Sequence, residues 1–154
     1  MSFIPLPAFP LTVYFDGSCR LCSAEINNLK ARDAEGRLTL VDCSPLDFTG
    51  GPAPRAALMD AIHAVDANDQ VFVGVDTFRA IYAAAGLPWV STILGLPLVS
   101  RLAQLGYPLL VRNRYRLPDR LVSALFDRAA RQAVRRGAGC RNGVCDLGTT
   151  SGER

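Results

Sequence analysis

The sequence has little of what would hold a secreted or membrane protein together. Its first residues, Met1-Ser2-Phe3-Ile4-Pro5-Leu6-Pro7, show no basic segment and no sustained apolar run, so they do not read as a secretory signal. No stretch reaches the ~18 uninterrupted apolar residues of a membrane span. The most apolar region, residues 87–111, is interrupted by Pro88, Pro97, Arg101 and Pro108. The cysteines number five, an odd count that argues against a fully paired disulfide framework. The one histidine, His63, falls in an expected strand and reads as a satisfied core or edge residue rather than a catalytic base. There is no internal repeat and no recognisable nucleic-acid-binding motif. These absences lead to an expectation of a cytoplasmic chain whose thiols stay reduced.

What is present suits one domain with an appendage. Of 154 residues, 49% are apolar, enough for a core without disulfide staples. The net charge of +3 hides an asymmetry. Residues 1–86 hold 6 basic and 10 acidic residues, a balance of −4, whereas residues 87–154 hold 11 basic and 4 acidic, a balance of +7. Two different surfaces are expected. The arginines from Arg101 to Arg141 read mainly as charge on solvated helix faces. Attachment of residues 87–116 to a membrane surface or a partner is the less favoured alternative, and no nucleic-acid partner is expected.

The pattern along the chain is β-α-β-α-β-β-α. Leu11-Thr12-Val13-Tyr14-Phe15 is a short β-branched and aromatic run closed by Asp16-Gly17, as for a buried strand and a tight turn. Cys22, Ile26 and Leu29 give the helix that follows its inner stripe, and Gly36 ends it. Residues 38–41 form a second strand, and residues 55–61 a short helix. Ile62 to Val65 and Val71 to Val73 flank a polar turn and read as a hairpin. Asp76 is expected to cap a helix running to Ala85. Short helices started by proline are expected in residues 87–111, and a last helix from Asp119 to Arg136. The first two strands should be parallel and the hairpin antiparallel, giving a small mixed sheet flanked by helices.

The chemistry centres on Cys19-Arg20-Leu21-Cys22, directly after a strand and at the start of a helix. Positions i and i+3 on a helix lie about 5–6 Å apart, within the separation a disulfide needs. Cys19 meets the helix's free N–H groups and positive end, which favour a thiolate, with Arg20 adding charge nearby. Cys22 lies a turn further in, so its thiol is expected to be less exposed and less acidic. Cys19 is therefore the expected nucleophile and Cys22 the resolving thiol, working through a mixed disulfide. Asp16 can move a proton for Cys22, cap the turn, or do both. Gly17, Arg20 and Leu21 are candidates for tuning the site or binding substrate. Cys43, at the same sheet edge, is a candidate accessory thiol, with a buried small residue as the blander reading. Cys140 and Cys145 are relay candidates on a tail expected to be mobile. Two alternatives stay open. One is a zinc site combining Cys19 and Cys22 with Cys140 and Cys145, and the other a pair of inert cysteines. The redox reading calls for no metal and no cofactor.

Val13-Tyr14-Phe15-Asp16-Gly17-Ser18-Cys19-Arg20-Leu21-Cys22 resembles the signature of the DCC family of thiol–disulfide oxidoreductases, with Asp16, Cys19 and Cys22 matching its Asp, Cys, Cys pattern. The resemblance continues through Leu40-Val41-Asp42, Val65-Asp66-Ala67 and Val73-Gly74-Val75-Asp76 to Asn113-Arg114-Tyr115-Arg116-Leu117. It implies a thioredoxin-like α/β fold, a bacterial setting, and a protein or low-molecular-weight thiol or disulfide as substrate, with glutathione or an unidentified reductase as partner. The chain departs from thioredoxins in one respect. No proline precedes Ile62, where those proteins place a cis-proline facing the cysteine pair. The expected organisation is an N-terminal extension (1–10), a thioredoxin-like redox domain (11–86), an apolar, Arg-rich helical extension packed on it (87–137) and a tail (138–154).

Overall fold

The computed structural model describes residues 7–118, 120–124, 140–141 and 144–145, the last four as backbone only. Four strands form one sheet in the order β2-β1-β3-β4. β1 (Leu11–Phe15) lies parallel to β2 (Leu38–Asp42), with Leu11 opposite Leu38 and Phe15 opposite Asp42. On its other side β1 pairs antiparallel with β3 (His63–Val65), which pairs antiparallel with β4 (Val71–Val73). The mixed sheet expected from the sequence is therefore present, with the thioredoxin-like arrangement of α and β elements.

β1 alternates. Leu11, Val13 and Phe15 are buried on one face, where they meet Ile26 and Leu29 of α1 (Arg20–Arg32) and Ala80, Ile81 and Ala84 of α3 (Val75–Ala84). Tyr14 points to the other face, near Leu58 of α2 (Arg55–Asp60). Gly51, at φ +88°, passes so close that a Cβ there would lie 3.1 Å from both side chains. The hairpin turn is held by Asp66, whose Oδ1 accepts the N–H groups of Asn68 at 2.8 Å and Gln70 at 2.9 Å.

One cap differs from expectation. Gly74, at φ +61°, precedes α3, so Asp76 lies within the first turn, where it pairs with Arg79 at 3.6 Å. The chain leaves β4 directly into the helix, and that bend needs a left-handed residue, which glycine supplies at no steric cost.

α4 (Pro88–Leu94) and α5 (Pro97–Asn113) each have a proline at the first helical position, as expected. Pro108 starts no helix of its own but lies inside α5, which at 17 residues is longer than the short helices expected. The proline removes one N–H donor, while Tyr107 bonds the Ile62 N–H before β3 and Arg114, just past the end of α5, bonds the Met59 carbonyl of α2. A 3₁₀ turn, Arg114–Arg116, ends α5, and residues 120–124 are helical. The rest of the expected last helix lies outside the described residues. β5 (Cys140–Arg141) and β6 (Val144–Cys145) pair antiparallel, with Cys140 opposite Cys145.

The extension packs on the domain with one face only. Tyr107 meets Phe78 edge to face, with ring centroids 6.3 Å apart. Leu98, Leu102, Leu105 and Leu109, at helical spacing, form an exposed stripe along α5. Among the described residues no single helix is long and apolar enough to cross a membrane, whereas α4 and residues 97–116 together, bent by 83°, meet that length and composition.

Candidate active site

The turn after β1 is built by Asp16, which is 2% exposed. Its Oδ1 accepts the Ser18 N–H at 3.0 Å and the Ser18 hydroxyl at 2.6 Å. Its main-chain carbonyl accepts the Cys19 N–H at 3.2 Å. Gly17 has no room for a side chain, because a Cβ there would fall 2.2 Å from the Asp42 carboxylate. That carboxylate accepts the Gly17 N–H at 2.9 Å and the Ser44 N–H at 2.8 Å, tying the ends of β1 and β2 together. Sequence and local geometry thus deliver Cys19 as the N-cap of α1.

Cys19 Sγ accepts the Cys22 N–H at 3.3 Å, and the two thiols are free rather than bonded to each other. A hydrogen bond from the Cys22 side chain is the main influence lowering the Cys19 pKa to about 6. Burial opposes it, while the Cys22 N–H and the Arg114 charge reinforce it. The same thiol–thiol bond, with burial and the Cys19 charge, pushes Cys22 upward. The expected order of acidity therefore appears, but the expected order of exposure does not. Cys19 is fully buried and Cys22 is half-buried. As the cap, Cys19 folds its sulfur back over the first turn, whereas Cys22 faces an adjoining cavity.

Two further residues reach the site from the far end of the chain. Arg114 Nη2 pairs with Asp16 Oδ2 at 3.1 Å, with side chains only 9% and 1% exposed. Its Nη1 approaches Cys22 Sγ at 3.8 Å. Burial alone would weaken its charged form, but the charges of Cys22, Tyr115, Cys19 and Asp16 outweigh that and hold the guanidinium ionised. The Tyr115 hydroxyl donates to the second oxygen of Asp16. Burial and that bond raise the Tyr115 pKa, so the phenol keeps its proton. Asp16 therefore has partners on both oxygens, and the group that turns the chain also binds the extension.

The remaining candidates fall into place around this core. Leu21 lines the cavity, and Arg20 is exposed at the first position of α1. Cys43 is fully buried, and its pKa is raised by burial and by the Asp42 charge, which fits a small residue packed after a strand. His63 is buried with Nδ1 2.8 Å from the Ala61 carbonyl, a satisfied histidine as expected. The side chains of Cys140 and Cys145 lie outside the described residues. Among the described residues no three His, Cys, Asp or Glu side chains converge as a metal site would need. The start of β3, where thioredoxins carry the cis-proline, is covered instead. The Ile62 N–H donates to the Tyr107 hydroxyl at 3.1 Å, and Arg114 Nη2 donates to the Met59 carbonyl at 2.5 Å.

The profile of the DCC1-like thiol–disulfide oxidoreductase family matches residues 13–120, from β1 through the 3₁₀ turn. The chain belongs to that family. An uncharacterized chloroplastic protein of Arabidopsis thaliana is 32% identical over 116 residues, which cover 71% of this chain and 53% of the plant protein. The chain thus spans about half the length of that relative. No solved structure matches the chain.

In this DCC1-like chain the family match takes in both the cysteine pair and the residues that cover it. α1, α3 and α5 enclose a cavity of about 680 Å³ against Cys22. Leu21 and Ile26 line it from α1, Phe78 and Tyr82 from α3, and Ala103, Gly106 and Leu110 from α5. Deeper along α1, Glu25 accepts the Tyr82 hydroxyl. Burial raises the Glu25 pKa against that bond. Arg114, Tyr115 and Tyr107 carried no sequence signal for a role at the cysteines, beyond lying within or near a segment that resembles the family.

Proposed function

We propose that this protein is a thiol–disulfide oxidoreductase working through Cys19 and Cys22 in a reducing, cytoplasm-like compartment. The Cys19 thiolate attacks one sulfur of a substrate disulfide. The substrate's S–S bond breaks, one half leaves as a thiolate and takes a proton from solvent, and the other half stays on Cys19 as a mixed disulfide. Cys22 then loses its proton and attacks the Cys19 sulfur. The second half leaves with a proton, and a Cys19–Cys22 disulfide remains. The substrate has been reduced by two electrons, and an external thiol or reductase restores the dithiol. Asp16, which lines the same cavity as Cys22, is the group we assign to take the Cys22 proton.

One observation carries this reading. The N–H of Cys22 donates to the sulfur of Cys19 at 3.3 Å, at the start of a helix, with the Arg114 charge beside the pair. Such an arrangement favours one thiolate and keeps its neighbour as a thiol. The test is thiol titration across a glutathione redox series, with metal content measured on the same sample. The expected result is a two-electron midpoint lost in Cys19→Ser and a trapped mixed disulfide in Cys22→Ser. A stoichiometric zinc content with thiols that react only after chelation would replace the redox reading with the zinc one.

A second reading is favoured by the leucine stripe of α5. Leu98, Leu102, Leu105 and Leu109 are exposed, with Trp89 62% exposed on α4 and Arg101 and Arg112 beside the stripe. Such a face suits the boundary of an anionic membrane. Vesicle binding that persists without either active-site cysteine would establish it alongside the redox role.

A further inference from the structure

We propose that the cavity beside Cys22 binds the substrate, and that the substrate is a small uncharged disulfide, or the corresponding thiol, bearing an apolar group. This rests on the exchange chemistry proposed above and names the class of molecule that undergoes it. At about 680 Å³ the cavity has the size of small-molecule sites. Cys22, Asp16 and Arg114 meet at one part of its wall, and the attacking sulfur of Cys19 lies just behind that part, accepting the Cys22 N–H at 3.3 Å rather than lining the cavity itself. Elsewhere the wall is almost entirely carbon.

Apart from Arg114 Nε, which is buried without a hydrogen-bond partner, the polar groups on that wall are engaged with the protein. Tyr82 donates to Glu25, the Tyr107 hydroxyl accepts from Ile62, and Asp16 is bound by Ser18, Tyr115 and Arg114. An ionised molecule such as glutathione disulfide would have to give up the water around its carboxylates and ammonium groups in exchange for apolar contact, which is unfavourable. An alkyl or aryl group loses nothing of that kind and gains burial. The Ile62 N–H just before β3, which a peptide would need for main-chain pairing, is held by Tyr107, and Arg114 holds the Met59 carbonyl at the end of α2. α5 leaves space as well. A Cβ at Gly106, on the cavity wall, meets nothing within 4 Å, although glycine weakens a helix.

The experiment uses the full chain carrying Cys22→Ser and a series of alkyl methanethiosulfonates: methyl, propyl and pentyl. The Cys19 thiolate attacks the thio sulfur, the bond from that sulfur to the sulfonyl sulfur breaks, and methanesulfinate leaves. The alkylthio group stays on Cys19, where mass spectrometry counts it. Each rate is divided by that of the same reagent with N-acetylcysteine. Full burial of a methylene corresponds to about fourfold, so the relative rate is expected to rise at least about tenfold from methyl to pentyl. A charged reagent of similar length, 2-sulfonatoethyl methanethiosulfonate, should lag behind propyl. Filling the wall with Gly106→Leu, or with Ala103→Leu as a second variant, should flatten the series. A flat series in the parent, with every reagent modifying Cys19, overturns the cavity assignment and leaves the exchange chemistry standing. Failure of every reagent, neutral or charged, to modify Cys19 removes the exchange reading and this inference with it.

Discussion

Replacing Cys22 with alanine tests the source of the Cys19 acidity. The hydrogen bond from the Cys22 thiol is the largest influence on Cys19, whose pKa stands at about 6. A hydrogen bond to a charged group contributes about 1.5–3 kcal/mol, and about 1.36 kcal/mol corresponds to one pKa unit. Cys22→Ala should therefore move Cys19 to about 7–8, while the backbone N–H at position 22 continues to donate. At pH 7 the thiolate fraction would fall from about nine-tenths to between about one half and one tenth. Cys22→Ser keeps a hydroxyl donor and should stay closer to the parent. Iodoacetamide alkylation of Cys19 across pH reads the change directly. If the serine variant rises as far as the alanine variant, or neither moves, the thiol–thiol bond is not the cause. The same shift links to stability. Because the folded Cys19 thiol is more acidic than the unfolded one, the reduced parent gains stability as pH rises from about 6 to about 9, and that gain is absent below about 6. Cys22, raised in the fold, stays protonated in both states up to about pH 8; towards pH 9 its unfolded thiol begins to ionise and offsets a small part of the gain. Urea unfolding of reduced protein at the two ends of the window checks the sign.

Arg114→Met should raise the Cys19 pKa and strand the buried Asp16 carboxylate, a loss of about 3–5 kcal/mol. Asp16→Asn added to it should return part of that stability in thermal unfolding. Gly17→Ala should destabilise by about 1–3 kcal/mol, because the new methyl meets the Asp42 carboxylate, and Asp42→Ala in the same chain should relieve the clash. Tyr107→Phe leaves the Ile62 N–H without its partner and should cost about 1–3 kcal/mol in urea unfolding. Leu105→Glu, at a position 77% exposed, should change stability by no more than about 0.5 kcal/mol. It should weaken binding to anionic vesicles if the leucine stripe docks there.

The readable part of the fold is the part set by local rules. Period-two apolarity in β1, the Asp-Gly turn and the spacing of Ile26 and Leu29 each correspond to an observed element. The hairpin follows equally from its polar turn, because the Asp66 carboxylate closes that turn with residues two and four positions on. Even in the apolar extension, Pro88 and Pro97 mark helix starts correctly. The cap of α3 was harder to read, since Asp76 is a good cap by type while the decisive quantity is the backbone angle at Gly74. The cover of the site was not legible at all. Arg114 and Tyr115 lie 98 and 99 residues from Asp16, and no periodicity connects positions so far apart. The exposure of the two cysteines was misjudged for a related reason. Burial of Cys19 depends on a side chain folding back over its own turn, whereas the open flank of Cys22 depends on where α5 comes to rest.

The shift in composition near residue 86 is real in charge but does not divide the site. Asp16, on the acidic side, takes two of its partners from Arg114 and Tyr115 on the basic side. The link from α2 to β3 is held by Arg114 at Met59 and by Tyr107 at Ile62. The cavity needs walls from α1, α3 and α5 together. A carboxylate 2% exposed with neither cation nor phenol against it would be unfavourable as an anion. The same residue holds the turn that aims Cys19 at the end of its helix, through its Oδ1 to Ser18 and its main-chain carbonyl to Cys19. The extension is therefore part of what makes the cysteine pair chemically uneven. Arg114 also connects reactivity to cover, because the guanidinium that favours the Cys19 thiolate is the one that fastens α5 over the site.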